Sequence, residues 1–249
     1  MSDPAAIEFL VFVALVFAVA AALTGTTNHR LPVEERARIW LTFRLEALII
    51  ALILGPAYAG ALPFGITIAV LAAWAMVEVH RVAGPHGRLR AVLIAGLYPG
   101  LGAGALVAIG AGPNRFGHLA LLYTLVEIND SGAYLVGKLF GRRRPFPVLS
   151  PKKTVAGCVA GFACAVVAAL ALGFTVPTAG WVERSIVGAA AGVLGQAGDL
   201  TASAIKRWAG VKDFGSVVPN HGGVLDVYDS LFFVAPFCYA WLWATARMA

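Results

Sequence analysis

The chain has 249 residues, 59% of them hydrophobic and only 13% charged, with a mean hydropathy of +0.81. An average soluble domain carries about 25% charged residues, so a soluble globule, a disordered chain and a secreted disulfide scaffold all fit poorly. The class left is an all-α, polytopic integral membrane protein, in which the net charge of +6 belongs to loops beside the bilayer and does not point to nucleic acid.

A membrane helix needs about 20 mostly apolar residues. Eight stretches qualify, at 7–26, 45–62, 64–80, 91–111, 117–137, 155–176, 185–205 and 230–247. The first is expected to be retained, because Met1 to Ile7 lacks the basic region of a cleaved signal. The second and third are separated only by Leu62 and Pro63, which predicts a tight helical hairpin. The fifth and seventh contain acidic residues. Glycines recur four apart, as at Gly96/Gly100, Gly137/Gly141, Gly157/Gly161 and Gly188/Gly192, a spacing that lets helices approach closely. Cys158, Cys164 and Cys238 lie in apolar runs and read as small buried side chains, not a disulfide or zinc framework.

Basic residues give the orientation. Arg30, Arg36, Arg38 and Arg44 follow the first stretch, and Arg81, Arg88 and Arg90 follow the third. Lys138, Arg142, Arg143, Arg144, Lys152 and Lys153 follow the fifth, and Lys206, Arg207 and Lys212 the seventh. Of the 19 basic residues, only Arg115, Arg184 and Arg247 fall on the other side. The rich side is assigned to the cytoplasm of a bacterial-type inner membrane, with both termini opposite. One membrane domain is expected over 1–249, with N-terminal helices at 1–116 and the chemistry on helices at 117–249.

The acids carry the chemical argument. Asp3, Glu8, Glu34, Glu35 and Glu183 sit near termini or loops, and Glu46 and Glu78 are expected to snorkel or to pair with Arg44 and Arg81. Glu127, Asp130, Asp199, Asp213, Asp226 and Asp229 need another explanation, since an acid in a membrane helix costs about 2.5–3.5 kcal/mol unless compensated. Asp199, Ser203 and Lys206 share a helix face at i, i+4, i+7, and Asp226 and Asp229 share one at i, i+3. Two helices can thus present carboxylates to one cation, and hard oxygen ligands suit Mg²⁺. Close by, Pro219-Asn220-His221-Gly222-Gly223 offers bare amides to a phosphate. Upstream, Ser150-Pro151-Lys152-Lys153-Thr154 reads as a helix start, with Ser150 as cap and Pro151 at the first position. Its two lysines would oppose the helix dipole unless a polyphosphate is bound there. Gly132 to Lys138 mimics a P-loop but lacks the closing Ser or Thr and a preceding strand. Asp213-Phe214-Gly215 matches a kinase triplet with no other kinase motif around it.

Two stretches together resemble the CDP-diacylglycerol synthase (phosphatidate cytidylyltransferase) family. One runs Gly198-Asp199-Leu200, Ser203 to Arg207, Lys212-Asp213, Pro219 to Gly223 and Asp226-Val227-Tyr228-Asp229-Ser230. The other runs Asn129 to Tyr134, Gly137, Gly141, Ser150 to Thr154 and Gly157. The resemblance implies transfer of a cytidylyl group from CTP to phosphatidic acid, giving CDP-diacylglycerol and pyrophosphate. It implies Asp199 and Asp226 at a Mg²⁺ centre, with K⁺ as a second cation; Asp229 is expected as a further ligand or as a carboxylate supporting the first two, and Lys206 as a further catalytic residue that holds phosphate. The substrate-binding set is Asn129, Asp130, Ser150, Lys152, Lys153, Ser203, Arg207, Lys212, Asp213, His221, Gly222 and Gly223. A homodimer is also implied. The pattern departs at Val227, where the family usually has Arg, at Ala202, where it often has Glu, and at Asn220, where it has Gly. Arg144 and Arg207 are the candidates to replace the missing arginine. The rival readings are a CTP-dependent enzyme on another lipid (a polyprenol kinase or an archaeal-type lipid cytidylyltransferase), a non-catalytic homologue that binds CTP or lipid, and a transporter. The last is disfavoured because the acids gather at one side.

Overall fold

A computed structural model describes residues 4–27 and 32–248; Asp3 and Arg30 lie outside them. The described residues are almost wholly helical, with only an isolated β-bridge between Val218 and Gly222. In an apolar solvent every backbone N–H must be satisfied within its own segment, and helices do this. The helices are α1 (Pro4–Thr27), α2 (Val33–Ala59), α3 (Ala61–Ala83), α4 (Arg88–Ala95), α5 (Leu101–Ala111), α6 (Arg115–Phe140), α7 (Val155–Ala171), α8 (Trp181–Trp208) and α9 (Val224–Ala244).

Among the described residues, four helical runs are long and apolar enough to cross a membrane: Val33–Ala59, Ala61–His86, Arg88–Ala111 and Val224–Ala244. The expected spans on α6 and α8 fall outside this set. Those helices carry the acids and lysines of the candidate site, which dilute their hydropathy. The expected span on α7 falls short because that helix has only 17 residues.

Several boundaries differ from the sequence reading. The α2–α3 hairpin breaks at Gly60, not at Leu62–Pro63. Gly60 has φ 149°, a region open to glycine, whereas Pro63 sits in the first turn of α3, where its missing N–H is tolerated. Helix α2 starts at Val33, so Arg36, Arg38 and Arg44 ride on its N-terminal half instead of a loop. The run at 91–111 is composite: α4 and α5 are joined by a π-helical turn over Gly96–Gly100 that contains Pro99. Proline has no N–H to give and its ring crowds the carbonyl four residues back, so the chain widens there. Helix α9 starts at Val224, ahead of the expected span at 230–247, and carries Asp226 and Asp229 at its start, as their shared face expects.

Helix α6 is central, touching α1, α2, α5, α7, α8 and α9. Its approach to α7 is set by small residues. A methyl group on Gly161 would meet the Asn129 carbonyl oxygen at 2.5 Å, and one on Gly157 the Ala133 oxygen at 2.5 Å. The expected role of the glycine pairs is met here. Helix α9 is packed between α8 on one side and α3 and α5 on the other, so its first turn faces residues from both halves of the chain. Gly132 to Lys138 lies within α6 and forms no phosphate loop.

Candidate active site

The C-terminal parts of α6 and α8 and the start of α9, with the segment before α7, line a cavity of about 690 Å³. Asp130, Ser150, Lys152, Lys153, Asp199, Asp226, Val227 and Asp229 line it, joined by Lys138, Arg144 and Gln196. Four carboxylates thus share one space with four cationic side chains. That combination suits a polyanion held together with a metal ion.

Helix α9 carries two of the acids. Asp226 is at its third position, where its Oδ2 accepts the N–H groups of Gly223 (2.8 Å) and Phe214 (2.7 Å). A carboxylate at a helix N-terminus gains from free amides and from the dipole. Its Oδ1 accepts from Lys206 Nζ at 2.6 Å, so both oxygens are engaged. The His221-Gly222-Gly223 turn exists to make this contact: Gly222 has φ 108°, and a methyl group there would meet Asp226 Oδ2 at 2.7 Å. Asp229, one turn on, is buried and accepts from the Ser230 N–H.

Helix α8 carries Asp199, whose Oδ2 lies 2.8 Å from Lys153 Nζ. Ser203 Oγ donates to its Oδ1 at 3.4 Å, as the shared face predicted. Gln196, one turn before Asp199, donates to Asn129 Oδ1 (3.2 Å) and to the Cys158 carbonyl (2.9 Å), and its own carbonyl accepts from Lys153 (3.3 Å). Asn129, fully buried, donates to Asp130 Oδ1 at 3.0 Å. Gln196 therefore ties α6, α7 and the lysine segment together. The i, i+3 spacing to Asp199 was the signal that could have found it.

Thr154, not Ser150, caps α7: its Oγ1 accepts the Gly157 N–H at 3.1 Å. Residues 150–153 form a turn ahead of it, closed by Lys153 N–H to Ser150 O at 3.1 Å. The lysines therefore stand before the helix, free of the first-turn dipole penalty, and reach the cavity from a loop.

Other expected residues point elsewhere. Arg207 donates to the Val211 carbonyl at 2.9 Å, and Lys212 and Asp213 are exposed in the loop that follows. His221 Nε2 lies 2.9 Å from Glu46 Oε1 on α2. Glu46 thus meets His221 and not Arg44, whose Nε donates to the Trp40 carbonyl. Glu78 does not pair with Arg81 as expected. It is 1% exposed, and its two oxygens accept the N–H groups of Val224 and Leu225 at 2.9 Å each, which caps α9 from α3. No local pattern signals a cap 146 residues away.

Among the described residues no three or more His, Cys, Asp or Glu side chains gather closely enough to hold a metal ion as they stand. Lys153 and Lys206 supply the positive charge at Asp199 and Asp226. The donor set nevertheless fits Mg²⁺ in kind, being carboxylate oxygens from three helices on one cavity.

A family model described as the cytidylyltransferase family matches residues 5–245. The phosphatidate cytidylyltransferase of Bacillus subtilis (strain 168) is 41% identical over 132 residues, 51% of this chain and 48% of the relative. That of Staphylococcus aureus (strain COL) is 38% identical over 121 residues, 48% of this chain and 46% of the relative. The uncharacterized protein YnbB of Escherichia coli (strain K12) is 43% identical over 115 residues, 46% of this chain and 39% of the relative. The matched part thus spans about half the length of the first two.

Proposed function

The chain belongs to the cytidylyltransferase family, and from that premise we propose that it transfers the cytidylyl group of CTP to phosphatidic acid, giving CDP-diacylglycerol and pyrophosphate. The observation that carries this reading is the single cavity in which Asp130, Asp199, Asp226 and Asp229 face Lys138, Arg144, Lys152 and Lys153. The printed names of the Bacillus and Staphylococcus relatives support it.

The reaction is an in-line displacement. An oxygen of the lipid phosphate bonds to the α-phosphorus of CTP, the bond from that phosphorus to the bridging oxygen of the β-phosphate breaks, and pyrophosphate leaves. The lipid phosphate is already anionic, so no strong base is needed. The protein's task is to bring two polyanions together and offset their repulsion. Lys152, Lys153 and Arg144 approach from the loop side and hold phosphates. Lys206 and the Gly223 and Phe214 amides fix Asp226 in place. Asn129 and Gln196 orient Asp130 and Lys153. Asp199, Asp226 and Asp229 would hold Mg²⁺, which supplies charge neutralisation on the phosphate oxygens when bound. Val227 lines the cavity where the family usually carries arginine, and Arg144 lines it as well. Arg144 therefore takes the missing phosphate contact in this reading.

The same reading has eight spans, with α1, α6, α7 and α8 crossing beside the four most apolar runs, and the cavity on the cytoplasmic face of an inner membrane with both termini opposite. The partition of basic residues supports this orientation. K⁺ as a second cation and a homodimer come from the family resemblance.

The test is incubation of purified protein with CTP, Mg²⁺ and a mixed lipid extract, followed by mass spectrometry of the lipids. CDP-diacylglycerol and pyrophosphate are expected, and Asp226→Asn abolishes both. A phosphorylated lipid with CDP released, or full activity in Asp226→Asn, overturns the assignment.

A further inference from the structure

Tyr98 lies in the π-helical turn between α4 and α5, far in sequence from every residue of the cavity, and is 7% exposed. Its hydroxyl points at two backbone carbonyls: Asp229 at 3.0 Å and Gly198 at 3.2 Å. One belongs to a cavity acid on α9, and the other to the residue directly before a cavity acid on α8. One O–H shared between these two acceptors joins the helices at the level of Asp199 and Asp229.

The surroundings make this a built contact. Helices α8 and α9 are nearly touching here, since a methyl group on Gly198 would meet Phe233 Cβ at 2.7 Å and Ser230 Cα at 3.1 Å. Ser230 Oγ donates to the Gly195 carbonyl at 3.0 Å, one turn along the same seam. The Tyr98 ring is held edge-on against Phe233, centroids 6.0 Å apart. Helix α5 is seated on α9 at Gly102, where any side chain would collide with the Phe232 backbone. The π turn gives Tyr98 its aim. Pro99 prevents a regular helix here, and the widened turn directs Tyr98 inward while Leu97 and Leu101 stay exposed. Carbonyls in an α-helix already accept one bond each, so an added donor that bridges two helices does nothing for either helix alone. It fixes their separation.

We propose that Tyr98 is a positioning residue, whose hydroxyl sets the distance between the Asp199 and Asp229 carboxylates and thereby the affinity of the site for its divalent cation. The inference rests on the reading of the site given above, and it assigns the N-terminal half of the chain a part in the chemistry.

The experiment compares wild type, Tyr98→Phe and Tyr98→Leu in detergent. Binding of Mn²⁺ as a probe cation is followed by electron paramagnetic resonance, and lipid cytidylylation is titrated against Mg²⁺ at saturating CTP. The phenylalanine variant keeps the ring and loses only the hydroxyl. Its Mn²⁺ dissociation constant and its Mg²⁺ activation midpoint are expected to rise together by about threefold to tenfold, the worth of one hydrogen bond, with a smaller change in the rate at saturating Mg²⁺. The leucine variant adds lost packing and lowers thermal stability further. Wild-type Mn²⁺ affinity in Tyr98→Phe overturns the proposal, as does a fall in rate with an unmoved Mg²⁺ midpoint. If the wild-type protein transfers no cytidylyl group, the functional reading fails, and the Mn²⁺ measurement still decides the role of Tyr98.

Discussion

Lys206 Nζ lies 2.6 Å from Oδ1 of Asp226, in an ion pair whose side chains are 11% and 3% exposed. Lys206 also stands over the Phe214 ring, 5.3 Å from its centroid. A buried pair of this kind costs little when intact and a great deal when halved, because the survivor is left as an uncompensated charge. Lys206→Met is expected to lose about 3–5 kcal/mol of stability together with activity. The double variant Lys206→Met/Asp226→Asn recovers much of the unfolding temperature and none of the activity. Thermal unfolding and product formation, measured on the three proteins, separate the two effects. Equal destabilisation in single and double variants would show that the pair is not what holds the loop.

Glu78 acts on the same helix from the other side. Its carboxylate accepts two N–H groups at the start of α9 and lies directly under Gly223, where a methyl group would meet its Oε1 at 2.5 Å. In Glu78→Gln the shape is kept, but the amide NH₂ confronts an N–H donor. Leaving a buried donor unpaired costs about 1–3 kcal/mol, and Asp226 follows directly on the two disturbed amides, those of Val224 and Leu225. The expected result is a lower unfolding temperature with a larger loss of turnover than of substrate affinity. Wild-type kcat in this variant would show that the cap does not reach the site.

The two arginines proposed to replace the family's missing one behave differently. Arg144 lines the cavity, whereas the Arg207 guanidinium bonds the Val211 carbonyl. A charge-assisted contact to phosphate is worth about 1.5–3 kcal/mol. Arg144→Ala is therefore expected to raise KM for CTP or for the lipid by roughly tenfold or more, and Arg207→Ala far less. Arg144→Lys recovers only part, since a lysine cannot make a two-pronged contact. Steady-state kinetics in mixed micelles, varying each substrate in turn, checks this and shows which phosphate is held. The reverse ranking would return the role to Arg207.

What could be seen in the sequence follows the range of each interaction. The faces carrying Asp199 with Ser203 and Asp226 with Asp229 depend only on helical spacing, and the structure has them as expected. The glycine contacts of α6 with α7 are local in the same sense. Ser150 and Thr154, two capping residues within five positions, compete for the start of α7, and the Ser-Pro turn takes the first while Thr154 takes the helix. Glu46, Glu78 and Tyr98 could not be placed, because each has its partner more than 99 residues away. A lone acid near an arginine of its own helix looks like a surface pair until tertiary packing supplies a better donor. The composite span at 91–111 was legible as an apolar run, but Pro99 alone does not tell a kink from a π turn.

At the other end of the bundle Glu183 accepts from Arg247 Nη1 (2.6 Å) and Nη2 (3.1 Å) and from Trp241 Nε1 (2.7 Å). It stands on the first turn of α8, ahead of the apolar run. The Arg247 hydrogen bonds hold its carboxyl below the ordinary value of 4.5, against a smaller opposing effect of burial. A carboxyl with a lowered folded-state pKa stabilises the fold at every pH above its unfolded value, and that contribution is lost as pH falls through the lowered one. The pair is partly solvated, so its worth is at most about 1 kcal/mol. Glu183→Gln is therefore expected to unfold a few degrees below wild type at pH 7. The two curves draw together as the medium is taken below pH 4.5. Unfolding temperatures in one detergent across this range make the test, and a gap that stays constant with pH would show that packing of Trp241, not the charge, is what the substitution removes.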